Sequence, residues 1–200
     1  MAKILEYYFA PPSPYAYLGH ARMVAMAKQY NAHVQILPCD FGKVFTVSGG
    51  LPLAKRAPQR QAYRLLELQR WSSFLGLPMN LQPKFFPVSG DAASHLIIAT
   101  QLAHGTAVAL ALSGAIMTAV WAEEKNIADT ATLAGLANHL DLDGSALVKS
   151  AAAPSIQAEY ERNTEHAIAA NIFGAPWYVV DGDGFWGQDR LDFVERALAK

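Results

Sequence analysis

The sequence predicts an α/β fold in which a small mixed β-sheet flanked by helices is interrupted by a large all-helical insertion. About the first forty residues follow a strand, helix, strand pattern, and the middle of the chain has almost only helical patterns. The end of the chain then shows a strand, a turn, a second strand and a helix. Of its 200 residues, 52% are hydrophobic and 16% are charged, so one sizeable core can be buried.

The start of the chain has clear element boundaries. Residues 3–10 are rich in β-branched and aromatic side chains and predict the first strand, which a pair of prolines ends. Ser13 is a good N-cap and Pro14 suits the first position of a helix that runs to about Tyr30. A second strand is predicted over 33–38, and a parallel crossover is the default for such a unit.

The middle of the chain is predicted to be helical apart from two connecting segments. A loop is expected at Ser48 to Pro52, and an extended connector with several prolines begins at Gly76. Asp129 and Asp143 lie where two helices would start and are candidate caps. Apolar spacing predicts helices over 58–75, 91–104, 107–125, 130–140, 144–152 and 154–172.

The end of the chain predicts a hairpin and a last helix. Strands are expected over 177–180 and 185–186, with an Asp-Gly turn between them that favours antiparallel pairing. The final helix would begin at Asp189. We therefore assign residues 1–50 and 168–200 to the sheet domain and 51–167 to the helical insertion, with a ligand cleft expected between them.

Charge and cysteine content exclude several classes of function. A net charge of -1 provides no general attraction to nucleic acids or anionic membranes. The longest nonpolar run, Gly105 to Ala122, is broken by small polar residues and predicts a buried helix rather than a membrane span. Cys39 is the single cysteine, expected to be buried, and it rules out an intrachain disulfide. We expect a cytoplasmic protein, because no signal-peptide pattern precedes the first strand.

Three short motifs could carry chemistry, and each has a purely structural alternative. Ser13 could simply cap its helix, or its hydroxyl and the helix amides could hold an anion such as a thiolate. Pro176 could be an ordinary proline at a strand start, or a cis bond could turn the backbone of Ala175 towards a peptide-like ligand. Asp189 could cap the last helix, or its carboxylate could bind a ligand ammonium.

Other polar residues give weaker signals. The six histidines lack metal-ligand spacing, so no metal site is expected. A basic cluster is expected to be mostly a solvated face, in which one or two side chains could bind a substrate carboxylate. Its members are Lys43, Lys55, Arg56, Arg60 and Arg64.

Three segments together resemble the 2-hydroxychromene-2-carboxylate isomerases. These enzymes are related to kappa-class glutathione transferases and, more distantly, to thioredoxin-fold disulfide oxidoreductases. The segments are YYFAPPSPYAYLGH (7–20), LQRW (68–71) and IFGAPWYVVDGDGFWGQDRLDFVERAL (172–198). The resemblance implies a thioredoxin-like domain with a helical insertion, glutathione as cofactor, a small aromatic carboxylate as substrate, and a homodimer.

The resemblance also implies roles for individual residues. Ser13 matches a serine that contacts the glutathione sulfur, and Pro176 matches a cis-proline. The backbone of Ala175 would pair with the cysteinyl part of glutathione, and Gln188 and Asp189 would hold its γ-glutamyl end.

Two positions near the boundary between the sheet domain and the insertion differ from the family pattern. Arg60 falls where relatives carry a lysine near the glycine end of glutathione. Gly50 falls where relatives carry an asparagine, and this departure affects the predicted substrate site. The segment from Pro83 to Ser94 is expected to line the substrate pocket.

The chemistry implied by the resemblance needs a nucleophile from outside the chain. The two cysteine positions of the redox relatives are Ser13 and Ala16 here, so the nucleophile would be the glutathione thiolate, with its pKa lowered by helix amides and Ser13. Reversible thiolate addition would then allow cis–trans isomerisation of the ring-opened benzylidenepyruvate. Two alternatives stay open: a kappa-class-like glutathione transferase or peroxidase acting on a hydrophobic electrophile, and a non-catalytic thioredoxin-fold binding module.

Overall fold

The computed structural model describes residues 2–200 and contains the predicted mixed sheet. Its strands are β1 (Ile4–Phe9), β2 (His33–Pro38), β3 (Trp177–Val180) and β4 (Asp183–Trp186), in the order β2-β1-β3-β4. β1 pairs in parallel with β2 and antiparallel with β3, and β3 pairs antiparallel with β4. The predicted parallel crossover and the terminal hairpin are therefore both confirmed.

The predicted helices occur in the predicted order, and seven α-helices lie between β2 and β3. Two short 3₁₀ turns occur at Leu53–Lys55 and Gln188–Arg190. The α-helices are α1 (Pro14–Gln29), α2 (Phe41–Ser48), α3 (Pro58–Leu75), α4 (Asp91–His104), α5 (Thr106–Trp121), α6 (Thr130–Asn138), α7 (Gly144–Ala151), α8 (Pro154–Ala169) and α9 (Leu191–Leu198).

One helix was missed by the sequence prediction. The stretch leading to Ser48 is α2, because the Asp40 carboxylate accepts hydrogen bonds from the backbone N–H groups of Gly42 and Lys43 at 2.8 and 3.2 Å. Gly49 ends the helix in the left-handed conformation, with φ of 74°. Three β-branched residues and a glycine lie within α2, and they weaken its helical signal in the sequence.

Several predicted helix ends were too long. α5 ends at Trp121 rather than residue 125, and α8 ends at Ala169 rather than residue 172. The left-handed residues Glu124 and Asn171 follow these two helices, so the chain has left the helical path there. The proposed caps Asp129 and Asp143 are confirmed, since each accepts a hydrogen bond from the backbone at the start of its helix.

The core lies on both faces of the sheet, and its larger part joins the sheet to the insertion. Leu5, Tyr7 and Phe9 of β1 are fully buried on the α1 side, in one cluster with Trp121 of α5. Tyr8 points to the other face, in the cluster that packs around α2 and α8. Successive side chains of β1 therefore point to opposite faces of the sheet, and each face packs against its own layer of helices. Within residues 2–200, no helix has both the length and the apolar content needed to cross a membrane.

Candidate functional site

Ser13 occupies the N-cap of α1 and faces the chain just before β3. Its Oγ accepts a hydrogen bond from the backbone N–H of Ala16 at 3.2 Å, so the capping interpretation is confirmed. The same Oγ lies 3.5 Å from the carbonyl oxygen of Ala175, to which the hydroxyl donates at the outer limit of a hydrogen bond. This hydrogen bond is therefore weak, and the hydroxyl can rotate to donate to a stronger acceptor.

The Ala175–Pro176 peptide lies between Ser13 and the turn before α9. This peptide bond is cis, as the resemblance implies. The ladder between β1 and β3 ends at the Tyr8–Trp177 pair, so Ala175 lies just beyond the paired backbone. The N–H of Gly187 donates to the carbonyl oxygen of Pro176 at 2.9 Å. Hydrogen bonds thus bring together the three segments that the sequence singled out.

Gln188 is buried, and its side chain turns towards α1. Only 1% of its surface is exposed, and Nη1 of Arg22 donates to its Oε1 at 2.9 Å. A Cβ placed on Gly19 of α1 would lie 2.7 Å from the Gln188 Cβ, so the two backbones approach closely because residue 19 has no side chain. Gln188 therefore fixes the position of the turn, and its contact with a ligand stays a prediction.

Asp189 is exposed beside the same turn. Its carboxylate pairs with the guanidinium of Arg190 at 2.9 Å, and 41% of its side-chain surface is accessible. α9 begins at Leu191 with no side-chain cap, so the interpretation of Asp189 as an N-cap is wrong. The carboxylate therefore has no capping role, and its ion pair with Arg190 is solvent-exposed.

Arg60 and Gly50 lie on the insertion side. Arg60 is exposed on the first turn of α3, and the hydrogen bonds that join Ser13, Ala175 and Gln188 to their neighbours do not include it. At Gly50, the ring of Phe45 occupies the space that a Cβ would need. The asparagine of the relatives would therefore require Phe45 to move, which gives the departure at Gly50 a local packing reason.

The connector between α3 and α4 packs against the loop that leads to Ser13. The hydroxyl of Tyr17 donates to the carbonyl oxygen of Pro78 at 2.6 Å. A Cβ on Gly90 would lie 2.6 Å from Cδ of Pro12, so the end of the connector touches the residue before Ser13. We call the region around the start of α1, the Ala175–Pro176 peptide and this connector the crevice.

Arg64 is a residue of this region that sequence analysis placed only within a basic cluster. Its guanidinium lies over the rings of Phe86 and Trp121, with 5.2 and 5.7 Å from Cζ to the ring centroids. Burial lowers its pKa. The sequence offered no signal for this placement, because Phe86 and Trp121 are distant from Arg64 along the chain.

Cys39 lies on the opposite face of the sheet from α1. It is 1% exposed, and its Sγ lies 3.2 Å from the carbonyl oxygen of Leu37. Burial raises the pKa of the thiol well above its usual value, so it is protonated at neutral pH. As predicted, it is a small buried side chain. In the described part of the chain, no group of three or more His, Cys, Asp or Glu residues could hold a metal ion.

Comparison with known proteins agrees with this architecture. The chain is 28% identical to a 2-hydroxychromene-2-carboxylate isomerase of Sphingobium xenophagum over 199 residues, which cover 99% of each protein. It is 26% identical to glutathione S-transferase kappa 2 of Caenorhabditis elegans over 99% of this chain and 92% of that protein. A solved structure of a 2-hydroxychromene-2-carboxylate isomerase superposes with a TM-score of 0.83 at 25% identity, over 98% of this chain and 94% of the other.

These similarities confirm the resemblance drawn from the three sequence segments, and with it the thioredoxin-like fold with a helical insertion. The DsbA-like thioredoxin domain family matches residues 4–199, which is nearly the whole chain. The chain therefore belongs to the DsbA-like thioredoxin domain family.

Proposed function

We propose that the protein is a cytoplasmic, glutathione-dependent isomerase. It interconverts 2-hydroxychromene-2-carboxylate and trans-o-hydroxybenzylidenepyruvate, or a close aromatic analogue, in the breakdown of aromatic compounds. The observation that carries the proposal is the meeting of Ser13, at the start of α1, with the Ala175–Pro176 peptide. Full-length similarity to proteins named as isomerases of this type supports it.

The groups around the crevice fit a glutathione molecule. The Ser13 hydroxyl and the amides at the start of α1 suit a thiolate. Ala175, beyond the end of the β1–β3 ladder, offers backbone groups to a peptide. The exposed carboxylate of Asp189 suits an α-ammonium group, and Arg60 is assigned to the glycine carboxylate.

Bound glutathione would supply a thiolate that adds reversibly to a conjugated carbon of the substrate. Ser13 would turn its hydroxyl from the Ala175 carbonyl towards the sulfur, and this added hydrogen bond would lower the pKa of the thiol. Burial raises the pKa of the nearby Tyr15 hydroxyl, so Tyr15 stays protonated and can donate a hydrogen bond.

A second candidate function uses the same residues. The similarity to a kappa-class glutathione transferase supports conjugation or reduction of a hydrophobic electrophile instead of isomerisation. Both functions need the Ser13 hydroxyl at the thiolate, so the fate of the substrate decides between them. A non-catalytic binding module would bind glutathione without either reaction.

A spectroscopic assay of 2-hydroxychromene-2-carboxylate with and without glutathione tests the proposal. We expect turnover only when glutathione is present. Conjugation of 1-chloro-2,4-dinitrobenzene without isomerisation would select the transferase. No binding of millimolar glutathione in calorimetry would contradict all of these functions. We propose a homodimer, and light scattering of the same sample measures that state.

A further inference from the structure

Arg64 is half-buried and has no ion-pair partner among residues 2–200. Its Nη2 is buried and has no hydrogen-bond partner among the described residues. Glu67, the nearest carboxylate along α3, instead pairs with Arg70 at 2.7 Å. The ion pairs among residues 2–200 do not include Arg64. A buried N–H group of a guanidinium is unfavourable when it is unpaired, so an anion that accepted a hydrogen bond from Nη2 would be stabilised.

A second unpaired donor lies in the same cluster. The indole Nε1 of Trp121 is buried and lacks a hydrogen-bond partner among the described residues. Trp121 packs against Phe86 with 4.8 Å between ring centroids, and the Arg64 guanidinium lies over both rings. The cluster thus combines a cation, an unpaired N–H group and aromatic surface, which are complementary to an aromatic carboxylate.

Two paths connect this cluster to Ser13. Arg64 is within electrostatic range of the hydroxyl of Tyr15, which lies two residues after Ser13 on α1. Phe86 belongs to the connector whose end, at Gly90, touches Pro12. Arg64 of α3 is therefore on the insertion side of the crevice, beside Phe86 of the segment expected to line the substrate pocket.

We propose that Arg64 binds the carboxylate of the aromatic substrate in the crevice, with Phe86 beside the substrate ring. The inference rests on the proposed function and adds the residue that would recognise its substrate. Lys55, an exposed residue of the basic cluster, has its charge solvated and needs no anion. The planar guanidinium of Arg64 also matches a carboxylate by two parallel hydrogen bonds.

Calorimetry with two stable chromones tests this role without requiring turnover. Chromone-2-carboxylate carries the negative charge, and chromone-2-carboxamide has nearly the same shape without it. We expect the unmodified protein to bind the carboxylate about 10- to 100-fold more tightly than the amide. Arg64→Met should abolish this preference, Arg64→Lys should keep part of it, and Lys55→Met, a matched exposed control, should keep all of it.

Three outcomes would overturn the inference. They are equal binding of both chromones by the unmodified protein, an unchanged preference in Arg64→Met, or a loss confined to glutathione binding. The last would assign Arg64 to a glutathione carboxylate. The thermal unfolding midpoint of Arg64→Met should not fall, because an apolar side chain replaces a guanidinium with an unpaired buried N–H group. If 2-hydroxychromene-2-carboxylate is not turned over while the Arg64-dependent preference persists, the isomerase proposal fails and the carboxylate site stands.

Discussion

The two walls of the crevice differ in how their polar groups are satisfied. On the sheet side, Ser13, the Ala175–Pro176 peptide and Gly187 are linked by hydrogen bonds of 2.9 to 3.5 Å. On the insertion side, Arg64 and Trp121 each have a buried N–H group that finds no hydrogen-bond partner within residues 2–200. The polar groups of the sheet side are hydrogen-bonded without a ligand, whereas those of the insertion side would gain partners from one.

This difference separates two tasks. Hydrogen bonds within the sheet side hold a reactive geometry that a ligand can enter with little rearrangement. Unpaired donors on the insertion side discriminate between ligands, because a buried polar group favours the molecule that pairs with it. The three variants described next examine the sheet side, from the largest expected effect to the smallest.

Ser13→Ala is expected to have the largest effect. Loss of one hydrogen bond to a thiolate, worth about 1.5–3 kcal/mol, should lower kcat roughly 10- to 100-fold while glutathione binding stays largely intact. Steady-state kinetics and calorimetry measure the two quantities. Ser13→Thr retains both the hydroxyl and the cap and serves as control. Full activity of Ser13→Ala would show that the hydroxyl takes no part in the chemistry.

Gly19→Ala is expected to disturb the packing that positions the Gln188 turn. The added methyl group would lie 2.7 Å from the Gln188 Cβ and 2.8 Å from the Tyr178 hydroxyl. We expect the free energy of unfolding to fall by about 1–3 kcal/mol and glutathione binding to weaken. Gly135→Ala is the matched control, since nothing lies within 4 Å of its added methyl group, and it should gain about 0.5–1 kcal/mol. Equal free energies of unfolding for the two variants in denaturant titration would contradict the tight contact.

Asp189→Ala is expected to have the smallest effect. Because the carboxylate is exposed, its interaction with an ammonium group is worth about 0.2–1 kcal/mol, so the Kd for glutathione should rise roughly 1.5- to 5-fold. Added salt should diminish the difference. Asp192→Ala, an exposed aspartate on α9, should leave the Kd unchanged. An unchanged Kd in Asp189→Ala would exclude Asp189 from the site.

The strength of local signals explains which elements the sequence could predict. α4 was predicted with its observed ends, and the hairpin follows from the Asp-Gly turn, where Asp181 and Gly182 have φ of 51° and 83°. α2 was missed although Asp40 and Gly49 are recognisable as its caps, because β-branched residues between them weaken the helical pattern.

In the candidate site, too, residues in local motifs could be predicted and residues placed by tertiary packing could not. The sheet side could be anticipated because Ser13, Pro176 and Asp189 each lie in a compact motif. Arg64 could not, because its surroundings come from α5 and the connector, which only tertiary packing brings to it. The contact between the side chains of Gln188 and Arg22 could not be anticipated either, because no local motif encodes it.

The replacement of a cysteine pair by Ser13 and the buried Ala16 has a consequence for the catalytic cycle. Oxidoreductases that use such a pair alternate between a dithiol and a disulfide, and each turnover must be followed by electron exchange with a partner. In this chain the start of α1 has one covalent state throughout. In the proposed isomerisation, whose substrate and product have the same oxidation level, each turnover would therefore begin from the same protein, with no reductase needed to regenerate it.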